Sequence, residues 1–212
     1  NVISVQSRGQ TVIAIIDYDV GNISAVANML QRLGVRSVMT SDPAVVAEAD
    51  RIILPGNGSF DACMRNLRAT GLVPLLERRV LDDGVPLLGI CVGAQMLGSR
   101  SEEGTEPGLG WLDMTVQRFP DVAGFPVPHM GWCEVIPAQG DHPMTNELAG
   151  DTRFYFVHSY FMLPADPADV LLKATYGREF AAAVARDNVA GVQFHPEKSH
   201  RFGKRLLAAF AR

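Results

Sequence analysis

The sequence predicts an α/β protein with a parallel, doubly wound β-sheet and additional antiparallel strands. Short apolar, β-branched runs such as 12–16 are typical of strands buried on both faces. In the first half of the chain these runs alternate with segments of helical spacing, which is the pattern that builds a parallel sheet. From Leu112 onward strands and turns follow one another, and this change indicates antiparallel strands.

The elements are assigned in chain order. In the first half we predict strands at 12–16, 35–40, 51–54 and 85–90, with helices at 22–33, from Pro43 onward and at 73–82. Asp42 before Pro43 supplies a helix cap followed by proline at the first helical position. The second half is predicted to hold strands at 114–119, 133–136, 154–161, 170–175 and 180–186, a strand at 189–194 that returns to the parallel sheet, and a final helix at 201–211.

Composition limits the classes of function. The 212 residues, 47% of them hydrophobic, suffice for one sizeable core, so we assign 11–212 to one domain and 1–10 to a loose extension. A net charge of −4 without a basic stripe argues against a nucleic-acid partner. No apolar run is long enough for a membrane span. Three cysteines without a C-x-x-C pair favour reduced thiols in the cytoplasm over disulfides or a metal site.

The segment Gly89-Ile90-Cys91-Val92-Gly93 is the most informative part of the sequence. A buried strand is predicted before it and a helix after it, so it has the form of a nucleophile elbow with cysteine in place of serine. A helix N-terminus favours the thiolate, which is the reactive form of cysteine. Taken alone, the same segment also suits a buried, inert cysteine.

A base for this thiol is predicted in the segment 191–197. The sequence His195-Pro196-Glu197 ends a strand, and residues two apart in an extended chain share a face. The imidazole of His195 can therefore face Cys91 while Glu197 holds its other nitrogen, as a nucleophile, its base and an orienting group require. Alone, these three residues would suit an ordinary turn; paired with the elbow, they favour a Cys91–His195–Glu197 catalytic triad.

With these motifs the chain resembles the class I glutamine amidotransferases, and within them the glutaminase subunits of imidazole glycerol phosphate synthase. The resemblance runs from about Thr11 to the C-terminus and rests on the triad and on four further segments, which are 17–22, 54–60, 128–132 (Pro-His-Met-Gly-Trp) and 154–160 (Phe-Tyr-Phe-Val-His-Ser-Tyr). It implies a flavodoxin-like three-layer α/β/α glutamine amidotransferase type-1 domain over 11–212. It also implies hydrolysis of L-glutamine through a cysteine thioester, no cofactor, and a heterodimer with a (β/α)8-barrel cyclase that consumes the ammonia.

The resemblance also assigns roles to individual residues. The backbone N–H groups of Asn57 and Val92 would hold the oxyanion. The substrate-binding residues it implies are Gly56, Gly58, Gln95, Ser159 and Tyr160. The partner interface it implies contains Asn22, His129, Met130, Trp132, Tyr155 and Lys198.

Two positions depart from the family pattern. Asn57 stands where a small apolar residue, often valine, is usual, and Cys133 stands where asparagine is usual. Because asparagine tolerates left-handed backbone geometry, the sequence does not determine the resting conformation of the loop around Asn57. Three alternatives also stay open: a paralogous glutaminase subunit that feeds a surface-sugar amidotransferase, a free-standing γ-glutamyl or cysteine hydrolase, and a non-catalytic binding module.

Overall fold

The computed structural model describes residues 11–20, 23–138, 142–146, 148 and 150–212. The predicted extension 1–10 and the predicted interface residue Asn22 lie outside these described residues.

Strands and helices alternate through the first half. The elements are β1 (Val12–Ile16), α1 (Ile23–Arg32), β2 (Arg36–Thr40), α2 (Pro43–Ala47), β3 (Arg51–Gly56), α3 (Phe60–Ala69), α4 (Val73–Glu77) with a π-helical continuation over Arg78–Asp82, β4 (Leu87–Cys91) and α5 (Val92–Gln95). The second half consists mostly of strands. They are β5 (Arg100–Ser101), β6 (Met114–Arg118), β7 (His129–Pro137), β8 (Arg153–His158), β9 (Tyr160–Pro164), β10 (Val170–Thr175), β11 (Glu179–Arg186) and β12 (Val189–Val192), and the chain closes with α6 (His200–Phe210).

All the described strands form one mixed sheet. Its main order is β2-β1-β3-β4-β12-β11-β10-β7-β8, while β9 pairs with β11 and β6, and β5 pairs with β6. The pairs from β2 to β12 are parallel, and β12–β11, β11–β10, β10–β7 and β7–β8 are antiparallel. The predicted return of the late strand to the parallel sheet is confirmed, because β12 lies beside β4 with Gly191 opposite Gly89.

Helices are expected on both faces of this sheet. The step from β1 to β2 and the steps from β2 to β3 and β4 run in opposite directions along the sheet, and right-handed crossovers then place their helices on opposite faces. Contacts agree, since α1 packs against α6 while α2 packs against α4. The predicted three-layer α/β/α class with added antiparallel strands is confirmed.

Helix α3 was not predicted from the sequence. Its buried residues are Phe60, Cys63, Met64 and Leu67, which have the spacing of one helical face, and Ser59 caps its first turn by accepting from the Ala62 N–H. Among the boundaries that differ from the prediction, β7 begins at His129 rather than at Cys133, and the predicted strand 154–161 is divided at Ser159 into β8 and β9. The first of these differences matters for function, because it makes His129–Trp132 part of a strand.

Candidate active site

The predicted elbow lies at the centre of the sheet. All five residues of β4 are buried, and Cys91, the last of them, has φ +54° immediately before α5 begins at Val92. A positive φ is uncommon for a residue with a side chain and clusters at functional sites. The turn is held by close backbone packing: a Cβ on Gly93 would overlap the Leu54 carbonyl, and a Cβ on Gly56 would overlap the Val92–Gly93 backbone.

His195 and Glu197 follow β12, the strand beside β4. Nδ1 of His195 lies 2.7 Å from Oε1 of Glu197, and both side chains are more than nine-tenths buried. The His195 backbone is fixed as well, since its N–H donates to the Tyr155 carbonyl at 2.9 Å and its carbonyl accepts from the Ser199 hydroxyl at 2.6 Å. The orientation of the imidazole is therefore fixed by hydrogen bonds to the His195 backbone and to Nδ1 of the ring.

Cys91 is the second interaction partner of the His195 side chain. Burial by itself lowers the pKa of His195, but hydrogen bonds to Cys91 and to Glu197 outweigh it and raise that pKa to about 9. The thiol has two further neighbours, with Gln193 Nε2 at 3.9 Å and the Val157 carbonyl oxygen at 4.0 Å from Sγ. The structure thus brings together the three residues predicted as a triad.

A cavity of about 290 Å³ opens beside the sulfur of Cys91. Its lining includes every predicted oxyanion and substrate residue except Gly56, which lies directly beneath the elbow. The lining residues are Asn57, Gly58, Cys91, Val92, Gln95, Glu103, Pro128, Val157, His158, Ser159 and Tyr160. The side-chain Nε2 of Gln95 donates to the Tyr160 carbonyl at 3.1 Å and to Gln193 Oε1 at 3.0 Å, so its orientation is fixed.

The loop after β3 carries the predicted oxyanion residue Asn57. The Tyr18 hydroxyl donates to the Pro55 carbonyl, and the Cys63 thiol donates to the Asn57 carbonyl at 3.5 Å, so both sides of the loop are anchored. The left-handed geometry considered for Asn57 is not adopted there; the positive φ, +105°, falls on Gly58 instead. Asn57 is exposed. Its departure from the family pattern changes the side chain at this position, and its φ is not positive.

Two residues of the site were missed in the sequence. Gln193 is fully buried between Gln95 and Cys91, in a segment whose pattern predicts only His195 and Glu197 as site residues. Glu103 is the one acidic side chain among the residues that line the cavity, and it accepts from the Phe60 N–H at 2.9 Å. Burial raises the pKa of Glu103. Glu103 reaches the cavity because the chain after α5 folds back over α3. No local sequence pattern indicates this fold.

The other two thiols differ from Cys91 in their surroundings. Burial raises the pKa of Cys63 to about 11, and burial also raises the pKa of Cys133. Neither has a histidine or a lysine among its hydrogen-bond partners in the described chain, so they are packing residues.

Four of the six predicted interface residues, Met130, Trp132, Tyr155 and Lys198, lie together on one face. Met130 is 62% and Trp132 45% exposed on β7, and Tyr155 lies opposite Trp132 on β8. The Lys198 ammonium lies 6.0 Å from the Tyr155 ring. The predicted interface role of His129 is wrong. His129 is 3% exposed and hydrogen-bonds inward to His158, so it is not available to a partner. Alternation along β7 puts His129 on the face opposite Met130 and Trp132.

The described part of the chain holds no cluster of three or more histidine, cysteine or acidic residues suited to a metal ion. Within the same residues, no helix has the length and apolar character needed to cross a membrane.

A cysteine on a strained strand-to-helix turn, next to a buried histidine–carboxylate pair on the neighbouring strand, defines the geometry of a cysteine-dependent acyl-transfer site. The family model for class-I glutamine amidotransferases matches residues 14–212. The chain therefore belongs to the class-I glutamine amidotransferases, and the resemblance inferred from its motifs is confirmed.

Two similar proteins carry the same name. The chain is 52% identical over 198 residues to imidazole glycerol phosphate synthase subunit HisH 2 of Pseudomonas aeruginosa, with 93% of this chain and 98% of that protein covered. It is 42% identical over 198 residues to the subunit of the same name from Methanococcus maripaludis, with the same coverage. Among solved structures, PurLQS from Thermotoga maritima matches with a TM-score of 0.74 at 20% identity, covering 95% of this chain and 98% of that one, and this likeness supports the fold alone.

Proposed function

We propose that this chain is the glutaminase subunit of an imidazole glycerol phosphate synthase and supplies ammonia to a (β/α)8-barrel cyclase. The observation that carries the proposal is the elbow cysteine Cys91 at the end of β4, next to the His195–Glu197 pair (2.7 Å) that follows the neighbouring strand β12, beside a cavity of about 290 Å³. The high identity to HisH subunits over nearly the whole chain supports the choice of pathway.

In this proposal the triad divides the reaction into two acyl transfers. The thiolate of Cys91 attacks the side-chain amide carbon of glutamine, and the backbone N–H groups of Asn57 and Val92 stabilise the oxyanion. His195 then gives its proton to the leaving nitrogen, so that ammonia departs and a glutamyl thioester remains. Next, His195 takes a proton from water, which attacks the thioester and releases glutamate. Glu197 keeps the imidazole oriented and stabilises its charged form.

The cavity has groups suited to the rest of the substrate. Glutamine carries an α-ammonium group, and Glu103 is the acidic side chain in the lining, so we assign Glu103 to that group. Gln95, Ser159 and Tyr160 form the wall next to it. Gly56 and Gly58 flank Asn57 and let the backbone of the loop approach the substrate.

The exposed face around Trp132 is the proposed docking surface for the barrel. A second cavity of about 40 Å³ lies behind the triad, with His195, Glu197 and Lys198 in its lining. It borders two triad residues and Lys198 of the exposed face, and we assign it to the departure of ammonia. Asn22, outside the described residues, keeps its predicted place in this interface. A cytoplasmic location stays a prediction.

Partner-dependent hydrolysis tests the proposal. Glutamine hydrolysis by the purified chain should be slow and should rise strongly when the barrel subunit and its nucleotide substrate are added, because docking activates only if the partner favours the competent loop. Full activity without a partner would instead support a free-standing hydrolase. Activation only by a sugar amidotransferase would support the paralogous pathway.

The Cys91→Ala variant tests the nucleophile within the complex. It should abolish synthesis from glutamine and leave synthesis from added ammonium salts intact, because the barrel carries out the second reaction. Cys133→Ala is the matched control, because Cys133 lies outside the cavity lining and the Asn57 loop, and it should retain glutamine-dependent synthesis. Retained glutamine hydrolysis in Cys91→Ala would refute the assignment.

A further inference from the structure

The structure contains a buried pair of histidines that the proposed mechanism does not use. His129 on β7 and His158 on β8 are register partners in the antiparallel ladder. Nδ1 of His129 lies 3.0 Å from Nε2 of His158, and the two side chains belong to residues only 3% and 6% exposed. Nδ1 of His158 lies 2.8 Å from the Tyr160 carbonyl oxygen.

These contacts determine where the protons lie. A carbonyl oxygen only accepts, so Nδ1 of His158 must carry a hydrogen. Burial lowers the pKa of His158 to about 3 and that of His129 to about 4, so both rings are neutral near pH 7. Nε2 of His158 is then an acceptor, and the hydrogen between the rings belongs to Nδ1 of His129.

The Tyr160 carbonyl connects this pair to the nucleophile. It accepts from His158 and also from Gln95 Nε2 at 3.1 Å. Gln95 in turn donates to Gln193 at 3.0 Å, and Gln193 Nε2 lies 3.9 Å from the Cys91 sulfur. An unbroken series of polar contacts thus runs from β7 to Cys91.

We propose that His129 is a positioning residue for glutamine binding, acting through His158 to hold the Tyr160 carbonyl and the Gln95 amide in place. The proposal rests on the proposed glutaminase function. If His129 lost its N–H, Nε2 of His158 would be a buried acceptor without a donor, and the His158 ring would lose the contact that fixes its orientation. A turn of that ring would weaken its N–H bond to the Tyr160 carbonyl at the wall of the glutamine cavity.

The packing of His129 allows the donor to be separated from the ring. The imidazole stacks on Tyr176 with centroids 4.0 Å apart and on Phe156 with centroids 5.1 Å apart. His129→Phe keeps an aromatic ring in this stack and removes the donor. His129→Asn gives up the stack but places an amide N–H close to the position of Nδ1.

The two variants should rank in opposite order for stability and for substrate affinity. We expect His129→Phe to raise the KM for glutamine ~5- to 10-fold with little change in kcat, as for one lost hydrogen bond. His129→Asn should stay within about twofold of the wild-type KM while melting at a lower temperature than His129→Phe. If both properties follow the same order, or if KM is unchanged in His129→Phe, the proposal is overturned.

Two controls complete the experiment. Tyr176→Phe keeps the stacked ring and removes only a hydroxyl bonded to the Pro126 carbonyl, so it should leave KM unchanged. Affinity for the barrel should be the same in His129→Phe and wild type, because the side chain is buried. A loss of barrel affinity would mean that His129 acts through the interface instead.

A direct measurement separates this inference from the proposed function. Nitrogen NMR of isotope-labelled histidine in the full chain should show His129 and His158 neutral and protonated on Nδ1. In His129→Phe, the Nε2 shift of His158 should move to that of an acceptor without a donor, and the Nδ1 proton shift should report a weaker bond to the Tyr160 carbonyl. His158 protonated on Nε2 in the wild type would refute the inference, whether or not the chain hydrolyses glutamine; correct tautomers without glutaminase activity would refute only the proposed function.

Discussion

The indole of Trp132 lies flat on the imidazole of His200, with ring centroids 5.6 Å apart and planes 6° from parallel. Trp132 also meets the edge of Tyr155 at 6.0 Å. These three rings come from β7, from β8 and from the start of α6, so the exposed indole is supported from two sides. A rigid, half-exposed aromatic ring is the kind of residue that contributes most to binding.

The first prediction concerns this indole. Trp132→Ala should weaken binding of the barrel subunit about 30-fold, as for a hot-spot residue of ~2 kcal/mol, and should leave the triad intact. Leu81→Ala is the matched control, because Leu81 is 51% exposed on the π-helical segment that follows α4 and should not affect binding. Titration calorimetry with the isolated barrel measures both. Equal affinity of the Trp132 variant and the wild type would place the interface elsewhere.

The second prediction uses the contact between His195 and Glu197. Glu197→Gln can still hydrogen-bond but does not stabilise the imidazolium, so glutamine turnover in the complex should fall by about 10²-fold or more. His195→Asn should be slower still, because the base itself is lost. Steady-state assays with saturating partner measure the difference, and wild-type turnover in either variant would count against the triad.

The same contact predicts how stability depends on pH. Cys91 and Glu197 together outweigh burial and raise the pKa of His195 from 6.5 to about 9, so the stabilising effect is complete below the unfolded value of 6.5 and is lost as pH rises through about 9. Glu197→Gln should therefore melt below the wild type at about pH 6, and the gap should narrow by about pH 10. Glu179→Gln, which alters an exposed ion pair with Lys173, should show a much smaller difference at both values. A gap that widens with rising pH would contradict the assignment.

The third prediction concerns the backbone N–H of Asn57. Asn57→Pro deletes this donor and should lower turnover about 10²- to 10³-fold, the usual effect of losing one oxyanion donor. Asn57→Val keeps the N–H, and because Asn57 does not have a positive φ, this variant should turn over within about threefold of wild type. Single-turnover formation of the thioester is the most direct measurement. If the proline and valine variants react at the same rate, the oxyanion is held by other groups.

The fourth prediction concerns the packing beneath the elbow. Gly93→Ala places a methyl group against the Leu54 carbonyl, so β3 and the elbow must separate, at a cost of about 1–3 kcal/mol and with loss of activity. Gly150→Ala is the control, since a Cβ at Gly150 meets nothing within 4 Å and its φ is not positive. Denaturant unfolding of the two variants gives the comparison. Equal stability would mean that the elbow relaxes without disturbing β3.

Much of this arrangement could be predicted locally. The strand β4, the elbow after it and the segment His195–Glu197 each have a sequence pattern of their own, so the triad can be predicted without knowledge of the fold. Helix α3 also has a local pattern, with Ser59 as its cap and apolar residues on one face, so its sequence is sufficient to predict it.

Other features depend on contacts between distant segments. The inward orientation of His129 follows from strand alternation only after β7 is known to begin at that residue. The pairing of Gln95 with Gln193, the entry of Glu103 into the cavity and the stack of Trp132 on His200 require the sheet order and the return of the chain to it. Local propensity contains no information about these distances.

The burial of Cys63 and Cys133 has a practical consequence for measuring this protein. Raised pKa values keep both thiols protonated at neutral pH, so a glutamine-like electrophile should alkylate Cys91 alone. The amount of label bound per chain then gives the fraction of molecules in a preparation that are competent for catalysis. Rates from different preparations, and from subunits purified with or without the barrel, could be normalised to that fraction.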